Sequence, residues 1–283
     1  MRVQGVGRPL VSIVVAVKDG AGTLGRLLDS VSAQDLQDRE LVVMDGGSTD
    51  GSLDILRSRA GELAFLESAS DRGIYHAWNK ALEHVRGQWV CFLGADDALH
   101  APDVLSRLVP HLERAAASGA TLVYGTVRIL GRGGELVQTG NPPPDLVARK
   151  AGRGLFIRHS GSFHHHTLFA DRRFDERYAI CADMDLLWPE FIAGRVRHAP
   201  GLVVADIRLG GASSRLGNAW GGMGETLRII VRRRLALVPV AYLAKMALLG
   251  AFLLLSRPLG ERRTARLGDW ARGLLGLPPR YSV

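Results

Sequence analysis

The chain has 283 residues, of which 47% are hydrophobic. That is enough for one large α/β domain with an ordinary globular core, alone or with an appendage. Its two cysteines, Cys91 and Cys181, form no C-x-x-C pattern and read as reduced residues, which excludes a disulfide framework. The formal charge of +8 comes without a zinc finger, an RNP aromatic motif or a heptad-linked basic region, so nucleic acid is not the expected partner.

In chain order, Met1 to Pro9 lacks the apolar core of a secretory leader, so the chemistry is expected inside the cell. Val11 to Val17 reads as a buried strand. Thr23 is a candidate cap for a helix whose Leu24, Leu27, Leu28 and Val31 share one face. Leu41–Met44 is a second strand ending at Asp45, after which Asp50 caps a short helix with Leu53 and Leu56 inward. Leu63–Leu66 is a third strand, Tyr75 to Val85 a helix, and Trp89–Leu93 a fourth strand. A helix from about Asp103 to Ala117 leads to a strand over Thr121–Val127. Gly131-Arg132-Gly133-Gly134 suggests a hairpin turn and Asn141-Pro142-Pro143-Pro144 a rigid loop. Ala151 to Phe163 reads as an irregular loop. A helix around Asp183 to Ala193 and a strand over Leu202–Ala205 complete the pattern, with no internal repeat.

Strands alternating with helices imply parallel connections and a doubly wound sheet, whose ligands bind beyond the carboxyl ends of the strands. Lys18 and Asp19, Asp45, Ser70 and Asp71, and Asp96 and Asp97 all follow strands directly. Two adjacent carboxylates after Phe92-Leu93-Gly94-Ala95 call for a counter-charge. One reading is a divalent cation completed by phosphate and water. The other is that the second aspartate caps the helix beginning near Pro102.

Several ordered motifs then carry a resemblance. They are Val14-Val15-Ala16-Val17-Lys18-Asp19, Asp45-Gly46-Gly47-Ser48-Thr49-Asp50-Gly51, Asp71 to Lys80, Gly94-Ala95-Asp96-Asp97, His165-His166-Thr167-Leu168-Phe169, Ala182-Asp183-Met184-Asp185 and Gly210-Gly211-Ala212-Ser213. From about Pro9 to Ser214 the chain resembles inverting family 2 glycosyltransferases with the GT-A fold, in the branch of bacterial surface polysaccharides. The resemblance implies a Rossmann-like catalytic domain over residues 1–215, with a nucleotide-sugar half at 9–100 and an acceptor half at 101–215. It implies a UDP-sugar donor by preference, Mg²⁺ or Mn²⁺, and a glycan or polyprenyl-linked acceptor. Asp97 is then the metal ligand, with Asp96 on ribose or supporting the coordination. Val17 and Asp19 border the nucleotide, Asp45 meets the base, and Asp71 and Arg72 meet nucleotide and phosphate. His165 is assigned to the diphosphate or acceptor pocket, Gly210 and Gly211 to a loop beside the acceptor, and Asp183 to the general base. Relatives often carry Glu-Asp where this chain has Ala182-Asp183. Asn79 and Lys80 are expected only to support their loop, and Asp185 to point away from Asp183. The rival readings are a sugar nucleotidyltransferase and a non-catalytic nucleotide-binding membrane scaffold.

The remaining residues, 216–283, read as a helical appendage. Leu235 to Ser256 is almost wholly apolar, interrupted by Pro239 and Lys245, and lies between Arg228, Arg232, Arg233 and Arg234 on one side and Arg257, Arg262, Arg263 and Arg266 on the other. It is long enough to span a bilayer, while an interfacial helix with arginines on anionic headgroups and a helix buried against the catalytic domain stay open. Either membrane version sets the active site at the cytoplasmic face of the inner membrane.

Overall fold

A computed structural model of the chain describes residues 8–131, 133–209, 216–236, 239–256 and 259–274. The first half winds as expected through β1 (Val11–Val17), α1 (Ala21–Ser32), β2 (Arg39–Asp45), α2 (Ser52–Ser58), β3 (Phe65–Ser68), α3 (Ile74–Ala81) and β4 (Trp89–Gly94). The chain continues through β5 (Asp97–Leu99), α4 (Val104–Ala117), β6 (Leu122–Leu130), β7 (Leu136–Gly140), α5 (Pro144–Lys150), β8 (Ser162–His165), α6 (Ala182–Ile192) and β9 (Val196–Arg208). Three helices follow: α7 (Leu216–Arg232), α8 (Val240–Ser256) and α9 (Gly260–Leu274).

Among the described residues one nine-stranded sheet runs β3-β2-β1-β4-β8-β6-β9-β5, with β7 paired to β6. β3, β2, β1 and β4 are mutually parallel, so their carboxyl ends share one edge. Beyond β4 the antiparallel β8 enters, joining this half to β6, which pairs in parallel with β9. β1 shows why a continuous apolar run is needed. Val11, Ile13, Val15 and Val17 enter one core cluster with Leu24, Leu27 and Leu28 of α1, whereas Val14 enters the other with Trp78 of α3 and Phe92. Alternate side chains leave opposite faces of a strand, and both faces are covered by helices. Leu24, Leu27 and Leu28 are fully buried, and each contributes roughly 2 kcal/mol of apolar transfer.

The local differences have physical causes. Thr23 lies inside α1 rather than at its cap; its hydroxyl donates to the Gly20 carbonyl at 3.3 Å. Asp50 takes over, accepting Ser52 N–H at 3.0 Å and Ala21 N–H at 2.9 Å, so one carboxylate serves the first turns of both α1 and α2. The third strand starts two residues later than its apolar run, at Phe65, because register with β2 pairs Phe65 to Val42. The expected irregular loop ends in β8, since Ser162 and Phe163 pair with Tyr124 and Val123 of β6. β9 is far longer than Leu202–Ala205, with a bulge between Ala199 and Val203.

Candidate functional site

The parallel half brings its strand-end loops together. Val17 and Asp45 are in register at the ends of β1 and β2. Asp19, with φ at 50°, accepts Thr49 N–H at 2.8 Å, and its own N–H donates to Ser48 Oγ at 2.9 Å. The loop after β1 is thereby pinned to the loop after β2. Asp45 is buried and accepts the Ser68 hydroxyl at 2.5 Å and Ser48 N–H at 3.2 Å, which draws in the end of β3. A Cβ on Gly46 would lie 2.6 Å from Asp71 Oδ2, so glycine there admits the Asp71 carboxylate against the same loop. Arg72, next in the chain, pairs with Glu176 at 2.7 Å. It borders an open groove of about 650 Å³ with His76, Lys80, Arg173 and Glu176. Asn79 holds the Phe174 backbone at both N–H and carbonyl, and Lys80 pairs with Glu67, so both are supports.

The aspartate pair sits over Gly94. A Cβ there would lie 2.9 Å from Asp96 Oδ1 and 3.3 Å from Asp97 Oδ2, so the two carboxylates flank one point. Asp97 is only 3% exposed and accepts Gly94 N–H at 2.8 Å and Ser160 Oγ–H at 2.6 Å. The helix-cap reading fails: Asp97 opens β5, and α4 starts at Val104 without a side-chain cap. Burial, then the neighbouring Asp96 charge, push the Asp97 carboxyl up to about 7. Arg26 from α1 donates to the Asp96 carbonyl and is a local counter-charge to both aspartates. No group of three or more His, Cys, Asp or Glu side chains that could enclose a metal is found among the described residues. A carboxylate pair with excess negative charge nevertheless fits a hard divalent cation that completes its shell with donor phosphate and water.

Asp183 stands in the first turn of α6, where Met184 N–H and the Tyr75 hydroxyl, 3.2 Å from Oδ1, favour its charged form. Burial outweighs them and Arg158, pushing its carboxyl up to about 6. Ala182 beside it is fully buried, leaving no solvated place for a glutamate at that position. Asp185 points away, as expected, into an ion pair with Arg233 at 3.0 Å.

The histidine run does not reach this edge. β8 is antiparallel to β4, and its register sets His165 opposite Trp89, the amino end of β4. His165 therefore lies roughly 15 Å of strand from the aspartates, by the rise per residue, with Nδ1 2.8 Å from Thr167 Oγ1. This corrects its assignment to the diphosphate or acceptor pocket. His164 is buried with Nδ1 2.9 Å from Val90 O, and burial lowers it to about 4, so it stays neutral. The segment just before β8 supplies the contact instead, through Ser160. Ser160 and Arg26 carry no local signal of a site, because long-range pairing alone brings them there, and Tyr75 lies within the Asp71 to Lys80 motif but had no role assigned to it. Gly210, Gly211, Ala212 and Ser213 lie outside the described residues.

Tyr242 of α8 is buried and its hydroxyl donates to Met223 O of α7 at 3.3 Å. Leu248, Leu254 and Trp270 are 74%, 63% and 63% exposed. Among the described residues no helix is long and apolar enough to cross a membrane. The helical part of the apolar segment, the 17-residue α8, is about 25 Å long against the ~30 Å of a bilayer core.

Comparison with known proteins agrees with this architecture. The model of the family "Glycosyl transferase family 2" matches residues 12–169, more than half of the chain. A PGL/p-HBAD biosynthesis glycosyltransferase of Mycobacterium tuberculosis is 39% identical over 122 residues, 42% of this chain and 47% of that protein. The chain thus spans about half the length of the curated relatives it matches first. The mannosyltransferase PcManGT of Pyrobaculum calidifontis, solved with GDP-Man and Mn²⁺, superposes with a TM-score of 0.61 at 21% identity, covering 95% of this chain and 81% of that one. S. aureus TarS 1–349 with UDP-GlcNAc gives 0.60 at 18% identity, covering 78% and 66%. The fold is the expected GT-A fold.

Proposed function

The chain belongs to glycosyl transferase family 2, and from that premise we propose that it moves a sugar from a nucleoside-diphosphate donor to an acceptor hydroxyl, inverting the anomeric carbon. The observation that carries this reading is the delivery of Asp19, Asp45, Asp71, Asp96 and Asp97 to one sheet edge by β1, β2, β3 and β4. Parallel sheets bind nucleotides at that edge. The loops after β1, β2 and β3, with Val17 beneath them, form the nucleoside side, and a UDP-sugar is the favoured donor.

Asp183 is the base. Its carboxylate takes the proton of the acceptor hydroxyl while that oxygen bonds to the anomeric carbon. The bond from that carbon to the β-phosphate oxygen breaks, and its electron pair leaves with the nucleoside diphosphate. A carboxyl at about 6 is deprotonated at neutral pH yet basic enough to accept the proton. Asp97, with Asp96 beside it, would hold Mg²⁺ or Mn²⁺, which would neutralise charge developing on the leaving diphosphate. Ser160 and Gly94 N–H hold the Asp97 carboxylate in place.

The acceptor is a glycan or polyprenyl-linked saccharide of envelope assembly, reached at the cytoplasmic face of the inner membrane. The catalytic domain over 1–215 meets it while the helices of 216–283 rest on anionic lipid. A panel of UDP- and GDP-sugars with Mg²⁺ or Mn²⁺ tests the reaction. Nucleoside diphosphate is expected as product, with turnover rising as pH climbs through about 6 and falling ~10²–10⁴-fold in Asp183→Asn. Release of pyrophosphate from a nucleoside triphosphate would overturn it.

A further inference from the structure

The loop that delivers Asp183 is gripped from outside the nucleotide-binding half. Glu225, in the middle of α7, accepts three successive backbone N–H groups: Ala179 at 2.7 Å on Oε1, and Ile180 and Cys181 at 2.9 Å each on Oε2. These are the residues immediately before α6, whose second residue is Asp183. The same helix holds the other side of the base. Arg233, just past its end, donates to the Asp185 carboxylate through Nε and Nη2 at 3.0 Å each, and to the Asp185 carbonyl at 3.0 Å. From the opposite direction, Tyr75 of α3 sets its hydroxyl 2.6 Å from Ile180 O. Asp183 is therefore flanked by two α7 attachments and one α3 attachment.

Three N–H groups turned onto one carboxylate form a charge-assisted arrangement with little freedom. Without Glu225 the 179–181 backbone loses all three of these partners, and the turn that aims Asp183 relaxes toward water. We propose that Glu225 is a positioning residue for the transfer reaction, fixing the Asp183 loop from α7. This rests on Asp183 being the base. Glu225 touches neither donor nor acceptor; it acts on the rate through the angle and burial of another carboxylate.

The test uses the full chain, with Glu225→Ala, Glu225→Gln and Asp183→Asn compared below their melting temperatures. Turnover is followed as nucleoside diphosphate release from the UDP- or GDP-sugar that the wild type uses, and amide hydrogen exchange is read over residues 179–185. Glu225→Ala should speed exchange at Ala179, Ile180 and Cys181 and lower kcat ~10-fold or more. The donor KM should stay within about twofold, and the acid limb of the kcat profile should move to lower pH as Asp183 becomes more solvated. Glu225→Gln, keeping one acceptor oxygen of the two, should fall between. Faster exchange with unchanged kcat and pH profile would reduce Glu225 to a structural cap and overturn the proposal alone. An active Asp183→Asn would remove the base assignment and this proposal together, so the two failures are told apart by that variant.

Discussion

Asp97 and Asp183 are both carboxylates lifted by burial, yet their surroundings separate their roles. Asp183 has neutral donors and a helix start around it, which suits a group that must be charged and then accept a proton. Asp97 has a second carboxylate beside it, which suits a site waiting for a cation. The stability consequence follows from the sign of the shift. A carboxyl whose folded value, about 7, lies above its unfolded value near 3.8 binds its proton more tightly when folded. Stability is then highest below the unfolded value and is lost as pH rises through the folded one. The free protein should lose on the order of 2–4 kcal/mol at this group between about pH 4 and pH 7. Asp97→Asn, which cannot ionise, should flatten that decline, and Mn²⁺ should restore wild-type stability at pH 8 but leave the variant unmoved. Denaturant midpoints across this pH range, with and without Mn²⁺, check it. Parallel pH curves for the two proteins would show that the cost of ionisation lies elsewhere.

Single elements decide which side chains meet this pair. β8 is antiparallel between β4 and β6, and its direction sends Ser160 to the aspartates and His165 to the far end. Ser160→Ala removes a donor to a charged acceptor, a loss of ~1.5–3 kcal/mol. Mn²⁺ binding should weaken ~10-fold or more, while His165→Ala should leave Mn²⁺ affinity and donor turnover within about twofold. Isothermal titration of both variants distinguishes them, and equal losses would mean the register argument is wrong. The same element marks the limit of what sequence patterns carry. β1, β2 and β4 were legible because each carries an apolar run, buried on both faces, with an aspartate at its end or two residues beyond. Asp183 was legible through its motif. Ser162-Phe163-His164-His165 has neither alternation nor an apolar run, and its burial comes from neighbours on both sides. Without that pairing His165 looks like a pocket residue, and Ser160 looks like loop. Arg26 escaped for a similar reason: it lies off the buried leucine face of α1, where a solvated arginine is ordinary, and its partner is 70 residues away.

At the scale of the whole molecule, the C-terminal helices present apolar surface that the catalytic domain does not cover. Along α9, Arg263, Leu267, Trp270 and Leu274 recur at helical spacing, with the three apolar members 39%, 63% and 69% exposed. On α8, Leu243, Leu248 and Leu254 are also open to solvent, while Tyr242 fixes that helix to α7. Exposed apolar side chains interleaved with arginines match the boundary between headgroups and acyl chains, and a short helix lies in that boundary rather than across it. Anionic lipid would supply both halves of the complement, each arginine near such a surface adding about 1 kcal/mol. The full chain should therefore co-sediment with vesicles containing phosphatidylglycerol and bind pure phosphatidylcholine weakly, and raising salt to ~0.5 M should release a large part of it. Leu248→Glu with Trp270→Glu should abolish sedimentation without changing donor turnover in solution, because both side chains stand largely in solvent on α8 and α9. If wild type ignored both vesicle types while sedimentation velocity showed a stable dimer that the double variant dissolved, the apolar surface would belong to a second copy of the chain. In that case the acceptor would have to reach the strand-end edge without a lipid surface to bring it there.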